Sequence, residues 1–276
     1  MVAKDPDKPP AVNAKEDRHF VTALARGLEL LRAFRSGEER LSNQELAQRC
    51  DLPRSTITRL TYTLTKLGYL HAIPESGRYR LGLQTLAIGG TTLSRLDLKE
   101  VSHPLLQELA NETDSMVSMA IRDELSMLYI ENCRSEAGIL TLRLGIGSRL
   151  PLGNTAAGRA YLAGAPQAAR EMLASRLQAL DPQGWGPVHE GILHAVADLR
   201  EHGCVRSFGD WRREINAIAA PLSMPPGLPL LVVNVAAAAQ SISPDTFMSE
   251  VRPKLIATNR KIEQAYRAGQ GSVSSG

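Results

Sequence analysis

The chain has 276 residues, of which 43% are hydrophobic, 22% charged and only 4% aromatic, and its formal net charge is +3. That length suits two domains, each large enough to bury its own core. The longest apolar run, Leu228 to Ala239, is too short to span a bilayer and carries Asn234, while Cys50, Cys133 and Cys204 are sparse, odd in number and in no metal-ligand spacing, which fits a reducing compartment rather than a disulfide framework or a zinc site.

Residues 1–19 are polar, hold three prolines and read as a disordered tail rather than a signal peptide. Positive charge is concentrated early: residues 1–80 hold 14 Lys/Arg against 10 Asp/Glu. Between Leu52 and Arg80, five cations (Arg54, Arg59, Lys66, Arg78 and Arg80) face Glu75 alone. Such a segment suits a phosphate-facing surface.

Val21, Leu24, Leu28 and Leu31 recur at helical spacing and predict the buried face of a first helix. Ser42-Asn43-Gln44-Glu45 has the form of a capping box and opens a second helix that runs to about Cys50. Asp51-Leu52-Pro53 breaks it, and Pro53 suits the first turn of a third helix. That helix turns Ile57, Leu60, Leu64 and Leu67 inward and ends at Gly68. Its opposite face carries Ser55, Thr58, Arg59, Tyr62 and Lys66, donors and cations with no acid among them. Tyr69–Ile73 and Arg78–Leu81 then read as two strands joined by Pro74-Glu75-Ser76-Gly77, a wing with arginines at its rim. Together these elements describe a helix-turn-helix whose third helix enters the major groove.

The same residues carry a family resemblance. Leu24-Ala25-Arg26-Gly27-Leu28-Glu29-Leu30-Leu31, Leu46-Ala47, Leu52 to Leu60, and Gly77-Arg78-Tyr79-Arg80-Leu81-Gly82 resemble the DNA-binding domain of IclR-type transcription regulators, and the resemblance continues from about Phe20 to Arg267. It implies an α+β chain: a winged helix-turn-helix over 20–82, a linker helix over 83–100 and a GAF-like effector domain with an antiparallel sheet over 101–268, followed by a tail over 269–276. The expected DNA contacts are Arg26, Arg54, Ser55, Thr56, Thr58, Arg59, Tyr62, Arg78 and Arg80. By resemblance, the first helix and the linker helix pair two subunits.

After Ser102 the pattern becomes mixed. A helix is expected over Pro104–Thr113, a hairpin from Met116–Arg122 and Leu125–Cys133, and a third strand over Ile139–Leu144. Helices follow at about Thr155–Ala163, Pro166–Leu177 and Glu190–His202, then a second hairpin, Ile218–Ser223 with Leu230–Ala237, around Pro225-Pro226-Gly227. The last helix starts after Ser243-Pro244 and buries Phe247, Val251, Leu255 and Ile262.

Two stretches, Gly147 to Ala163 and Gly203 to Pro221, resemble the family's effector pocket. In the first, Thr155 is an N-cap candidate, and Ala156, Ala157 and Gly158 would leave the helix's first amides uncovered for an anion. Carried over by position, the pocket residues are Leu142, Leu150, Ala156, Ala157, Ser207, Ile215, Ala217, Asn234 and Ala236, beside Thr155 and Gly158. Gly153-Asn154 replaces a usual His-Ala, and Asn234 and Ala236 stand where serines are common. One amide among small apolar side chains favours an aromatic carboxylic acid over the alternative, an aliphatic keto or hydroxy acid. Arg122 or Arg143 is a candidate partner for a second carboxylate. Phe20 to Leu28 resembles the subgroup that controls aromatic-acid catabolism. The implied partners are double-stranded operator DNA, a small organic acid effector, a second copy in a dimer or dimer of dimers, and RNA polymerase, in the cytoplasm with no membrane.

An enzyme is the main rival class. Gly145-Ile146-Gly147 lacks the third glycine of a dinucleotide loop, and no GxSxG, HExxH or P-loop occurs, so neither catalysis nor a cofactor or metal is expected. A winged helix used for protein contacts is a third class, and the acid-free face on the third helix argues against it.

Overall fold

The computed structural model describes residues 19–34, 40–93, 98–136, 144–225 and 228–273. Their contacts divide them into two compact units that part between Leu93 and Leu98. The first unit runs α1 (Thr22–Arg32), β1 (Leu41–Ser42), α2 (Asn43–Cys50), α3 (Arg54–Lys66), β2 (Leu70–Ile73), β3 (Arg78–Leu81) and α4 (Leu83–Leu93). The capping box of α2 is complete: Glu45 N donates to Ser42 Oγ at 3.3 Å, and Ser42 N donates to Glu45 Oε2 at 2.8 Å. Asp51, at φ 53°, closes α2 in the left-handed region, and Pro53 sits one residue earlier than expected, as the N-cap of α3. β3 pairs antiparallel with both β2 and β1, which makes the wing a three-stranded sheet.

This unit's core is Leu30, Leu41, Leu46, Cys50, Ile57 and Leu70. Two expectations fail here. Val21, Leu24 and Leu28 are exposed, because α1 meets its own unit through Leu30 and Leu31 near its C-terminal end. An apolar stripe in a sequence does not say which surface covers it. On α3, Leu60 and Leu64 are half-buried and Leu67 is exposed, while Thr61 is fully buried. Its hydroxyl lies 3.0 Å from Ile57 O and 3.3 Å from Asn43 Oδ1, which satisfies it inside the core.

The second unit runs α5 (Leu98–Glu112), β4 (Met116–Asp123), β5 (Ser126–Arg134), β6 (Arg149–Pro151), α6 (Ala156–Gly164), α7 (Gln167–Leu180), α8 (Trp185–His202), β7 (Val205–Phe208), β8 (Ile215–Leu222), β9 (Leu231–Ala238), α9 (Pro244–Thr246), a π-helical turn (Phe247–Val251) and α10 (Arg252–Val273). Six strands form one antiparallel sheet in the order β6-β5-β4-β9-β8-β7. Both faces are covered, so β9 reads as a nearly continuous apolar run. On one face Val117, Met119, Cys133, Ile218, Val233 and Val235 pack with residues of α5 and α10. On the other, Met116, Ala120, Met127, Tyr129, Ala217, Ala219 and Ala236 pack with α6 and α8. Phe247, Val251, Leu255 and Ile262 are buried as expected, each stabilising the fold by about 1.5–3 kcal/mol.

Several boundaries differ from expectation. α5 starts at Leu98, inside the expected linker, and contains Pro104, because Leu98, Ser102, Leu106, Leu109 and Ala110 form a continuous buried stripe that outweighs the proline. α8 starts at Trp185 and accommodates Pro187 in its first turn, where no intrahelical donor is needed. The short edge strands β6 and β7 were not anticipated. Helical hydrogen bonding in α10 continues to Val273, past residue 269 where a tail was expected. Residues 1–18 and 274–276 of the expected tails, most of the strand expected over Ile139–Leu144, and the tip Pro226-Gly227 lie outside the described residues.

Candidate functional site

The first candidate surface is the outer face of α3. Arg54, Ser55, Thr58, Arg59, Tyr62 and Lys66 are exposed, and Thr56 is half-buried at the start of the helix. The Thr58 hydroxyl donates to Arg54 O at 2.9 Å, and Lys66 Nζ lies 5.6 Å from the centre of the Tyr62 ring. Among the described residues no ion pair engages Arg54 or Arg59. Arg26 on α1 and Arg80 on β3 are also exposed. Arg78 differs: it lies 3.5 Å from Glu45 Oε2 and donates to Arg40 O at 3.3 Å, so it ties the wing to α2.

The second candidate is a cavity on the α6 face of the large sheet. It holds about 390 Å³ of atom-free space, part of it open to solvent. Strand pairing assembles the floor: Met116 lies opposite Ala236, and Ala217 pairs with Ala236 from the other side. Asn234, two residues before Ala236, points the same way. Leu150, Thr155, Ala156, Ser207 and Ile215 also line the cavity, so most positions carried over from the resemblance meet at one place.

Met116, Tyr129, Leu144 and Trp211 line it as well and were missed. Strand alternation would have found Met116. Tyr129 depends on a bulge: Ala120 pairs with Tyr129 while Met119 pairs with Glu131, so Ile130 is the extra residue and the facing pattern changes there. Trp211 lies in the loop before β8, where no periodicity marks it.

Three expectations are corrected or fall outside the structure. Ala157 and Gly158 are buried but do not line the cavity. Gly158 N donates to Thr155 Oγ1 at 3.1 Å, so the cap itself takes that amide. A Cβ at Gly158 would sit 2.1 Å from Leu152 O; the missing side chain serves close packing of α6 on the turn after β6. Leu142 and Arg143 lie outside the described residues. Arg122 donates to Tyr161 Oη at 3.0 Å and to Glu124 O at 2.8 Å, and is not among the lining residues.

The polar groups of the cavity are hydrogen-bonding rather than charged. Asn234 Nδ2 donates to Tyr129 Oη at 3.4 Å, and Ser207 Oγ donates to Asn154 O at 3.4 Å. Burial pushes the Tyr129 phenol well above its ordinary pKa, only partly offset by a hydrogen bond with Ser118, so it stays a neutral donor. Behind the wall, Arg159 pairs with Asp210, and its Nε donates to Gly153 O at 3.2 Å. That pair ties α6 to the loop bearing Trp211.

Comparison with known proteins accounts for both units. Residues 23–74 match the IclR helix-turn-helix domain, and residues 90–264 match the bacterial transcriptional regulator IclR C-terminal domain. The HTH-type transcriptional regulator TsaQ1/TsaQ2 of Comamonas testosteroni is 32% identical over 201 residues, 72% of each chain. The crystal structure of an IclR family transcriptional regulator from Brucella abortus is 38% identical, covers 93% of this chain and 96% of its own, and superposes with a TM-score of 0.74. An IclR homolog from Microbacterium hydrocarbonoxydans, complexed with 4-hydroxybenzoate, shares the fold at 21% identity and a TM-score of 0.73, covering 90% of this chain and all of its own. An α+β chain with a winged helix-turn-helix and an antiparallel effector domain, matched by family models over both units and by regulators rather than enzymes, belongs to the IclR family of bacterial transcription regulators.

Proposed function

We propose that this regulator controls a catabolic operon, binding palindromic operator DNA through α3 and the wing and sensing a small aromatic carboxylic acid in the cavity of its effector domain. The observation that carries the DNA reading is the exposed, acid-free face of α3. Arg59 at its centre reaches a guanine edge or a phosphate, Ser55 and Thr58 make shorter contacts near the helix start, and Arg80 meets the sugar-phosphate backbone. The effector reading rests on the cavity's composition. Met116, Leu144, Leu150, Ile215 and Trp211 give an apolar enclosure for a ring, and Asn234, Tyr129 and Ser207 supply donors for a carboxylate. The described groups offer a carboxylate neutral hydrogen bonds, which suits one acid group on a ring. That a protein of the same fold binds 4-hydroxybenzoate supports this choice.

Paired heads require a second subunit. Val21, Leu24 and Leu28 on α1, and Leu83, Leu86 and Ile88 on α4, are exposed apolar side chains on two helices of one unit, and a second copy, in a dimer or a dimer of dimers, is the cover they call for. No helix among the described residues is long and apolar enough to cross a membrane, in keeping with a cytoplasmic regulator.

One experiment tests both halves. Thermal shift of the whole protein is measured against benzoate, 4-hydroxybenzoate, pyruvate and glyoxylate, and duplex-DNA affinity is measured against salt for wild type and Arg59→Ala. A melting temperature raised by the ring acids alone supports the sensor; a rise with the aliphatic acids alone overturns the aromatic choice. For DNA, Arg59→Ala is expected to lose tight binding while keeping the ligand-induced shift. Unchanged DNA affinity in that variant removes α3 from the interface.

A further inference from the structure

On the face of the sheet opposite the cavity, α5 and β5 bring together His103, Glu131 and Cys133, whose donor atoms all lie within 4.8 Å of one another. His103 Nδ1 is 3.5 Å from Glu131 Oε2 and 3.7 Å from Cys133 Sγ. Ligand atoms around one tetrahedral ion, with bonds of about 2.0–2.3 Å, are separated by about 3.3–3.8 Å, so both distances already match a shared ion. A second, independent observation concerns Glu131. Its side chain is 5% exposed, and Oε2, the oxygen turned toward His103, is buried with no hydrogen-bond partner among the described residues. Oε1 accepts from Asn132 N at 3.0 Å, which fixes the carboxylate's orientation. Lys99 and His103 face its charge at ion-pair distance, but a buried carboxylate oxygen without a hydrogen bond is uncommon in natural structures.

The surroundings include competing groups. Lys99 Nζ, one helical turn before His103, lies 3.7 Å from Glu131 Oε2, too long for a hydrogen bond but close enough to oppose a cation. Cys133 Sγ also lies 3.9 Å from His103 O. The His103 side chain is 53% exposed, which supplies an entry path and room for a solvent ligand.

We propose that His103 Nδ1, a Glu131 carboxylate oxygen and Cys133 Sγ form a binding site for a divalent first-row transition ion, with zinc the natural occupant, completed by a water from the exposed side. Imidazole, carboxylate and thiolate suit zinc or cobalt and not calcium or magnesium. Binding releases the thiol proton to solvent and clamps α5 to β5, Lys99 swinging outward.

The test uses the full-length protein, stripped with chelator and titrated with cobalt(II), then zinc. Saturation at one ion per chain, with a thiolate-to-cobalt charge-transfer band that zinc abolishes, is expected. Cys133→Ala and, since that residue is buried, the exposed His103→Ala as a second variant each lose the band, while Lys99→Met tightens binding several-fold. Absence of a band and of zinc-binding heat in wild type overturns the proposal. A band that survives in folded Cys133→Ala also overturns it, because another cysteine would then be the ligand; unchanged cobalt affinity in folded His103→Ala overturns the site as drawn, because the imidazole would then not be a ligand.

Discussion

Arg159 offers a quantitative test of how the cavity wall is held. Its side chain is 11% exposed and donates through Nη1 to Asp210, and through Nε to Gly153 O at 3.2 Å. The guanidinium lies against Gly191 of α8, where a Cβ would come within 2.3 Å of Nη2; α8 therefore leaves it one place to lie. Arg159→Met keeps the stem's packing and removes both donors. Breaking a fully buried ion pair costs about 3–5 kcal/mol. Asp210, however, is 42% exposed, so water resolvates it, and only the carbonyl of Gly153 stays unpaired. A loss of about 2 kcal/mol follows, or a fall in melting temperature of about 4–8 °C for a unit of this size. The informative assay is a double-mutant cycle with Asp210→Asn, followed by thermal and urea unfolding. A coupling of about 1–2 kcal/mol is expected. Because Trp211 follows Asp210 directly, binding of a ring acid should weaken in both single variants. Additivity to within about 0.3–0.5 kcal/mol, with ligand affinity intact, refutes the role assigned to the pair.

Thr155→Val removes the cap of α6 but keeps the side-chain volume, and should cost about 1 kcal/mol, read as a drop of about 2–4 °C in melting temperature. Burial raises Cys50 and Cys204 from 9.0 to about 11 in the folded protein. Between those values the unfolded state releases protons that the folded state keeps, so stability falls as pH rises from about 9 to 11. The urea midpoint should therefore drop more steeply across that window in wild type than in a Cys50→Ala/Cys204→Ala variant; parallel curves refute the buried-thiol reading. Glu45 shifts the other way, held low by its hydrogen bonds with Ser42. The capping box accordingly contributes above about pH 4.5 and is lost as pH falls through the lowered value, a loss that Glu45→Gln should abolish in acid unfolding of the whole chain.

What the sequence made legible divides along physical lines. Local chemistry was readable: the Ser42–Glu45 box, the stop at Gly68 and the buried stripe Phe247, Val251, Leu255 and Ile262 all depend on neighbours within one or two turns. What depends on a remote partner was not. Val21, Leu24 and Leu28 form a genuine stripe, but nothing local tells whether their own unit or another chain covers it. Thr61 is polar and yet buried because Asn43, eighteen residues earlier, and its own helix carbonyl satisfy it. Resemblance located Ser207, Ile215, Ala217 and Asn234 at the cavity. It also set Ala157 and Gly158 there, and neither lines the cavity; the bare Cα of Gly158 lies against Leu152. The triad His103, Glu131 and Cys133 has no sequence spacing to betray it, since a helix and a strand with all of β4 between them supply it.

The bulge at Ile130 bears on how the two faces of the sheet communicate. Tyr129 reaches the cavity from β5, whereas Glu131 and Cys133, two and four residues later, reach α5 on the other face. A ligand that draws on the Tyr129 hydroxyl and an ion held by Glu131 therefore act on one short stretch of one strand, on either side of its only irregularity. α5 is also the helix that follows α4 in the chain. Linkage requires that two ligands favouring different positions of this stretch alter each other's affinity by the same factor. Titrating a ring acid into the zinc-loaded and zinc-free protein, and zinc into the acid-bound and acid-free protein, measures that factor twice. Equal, non-unit factors in the two directions would show that the two sites are coupled, and loss of that coupling on deleting Ile130 would place the switch at the bulge. Factors of one would mean that β5 is rigid and that the signal leaves the cavity by another wall, with the loop held by Arg159 and Asp210 the next to examine.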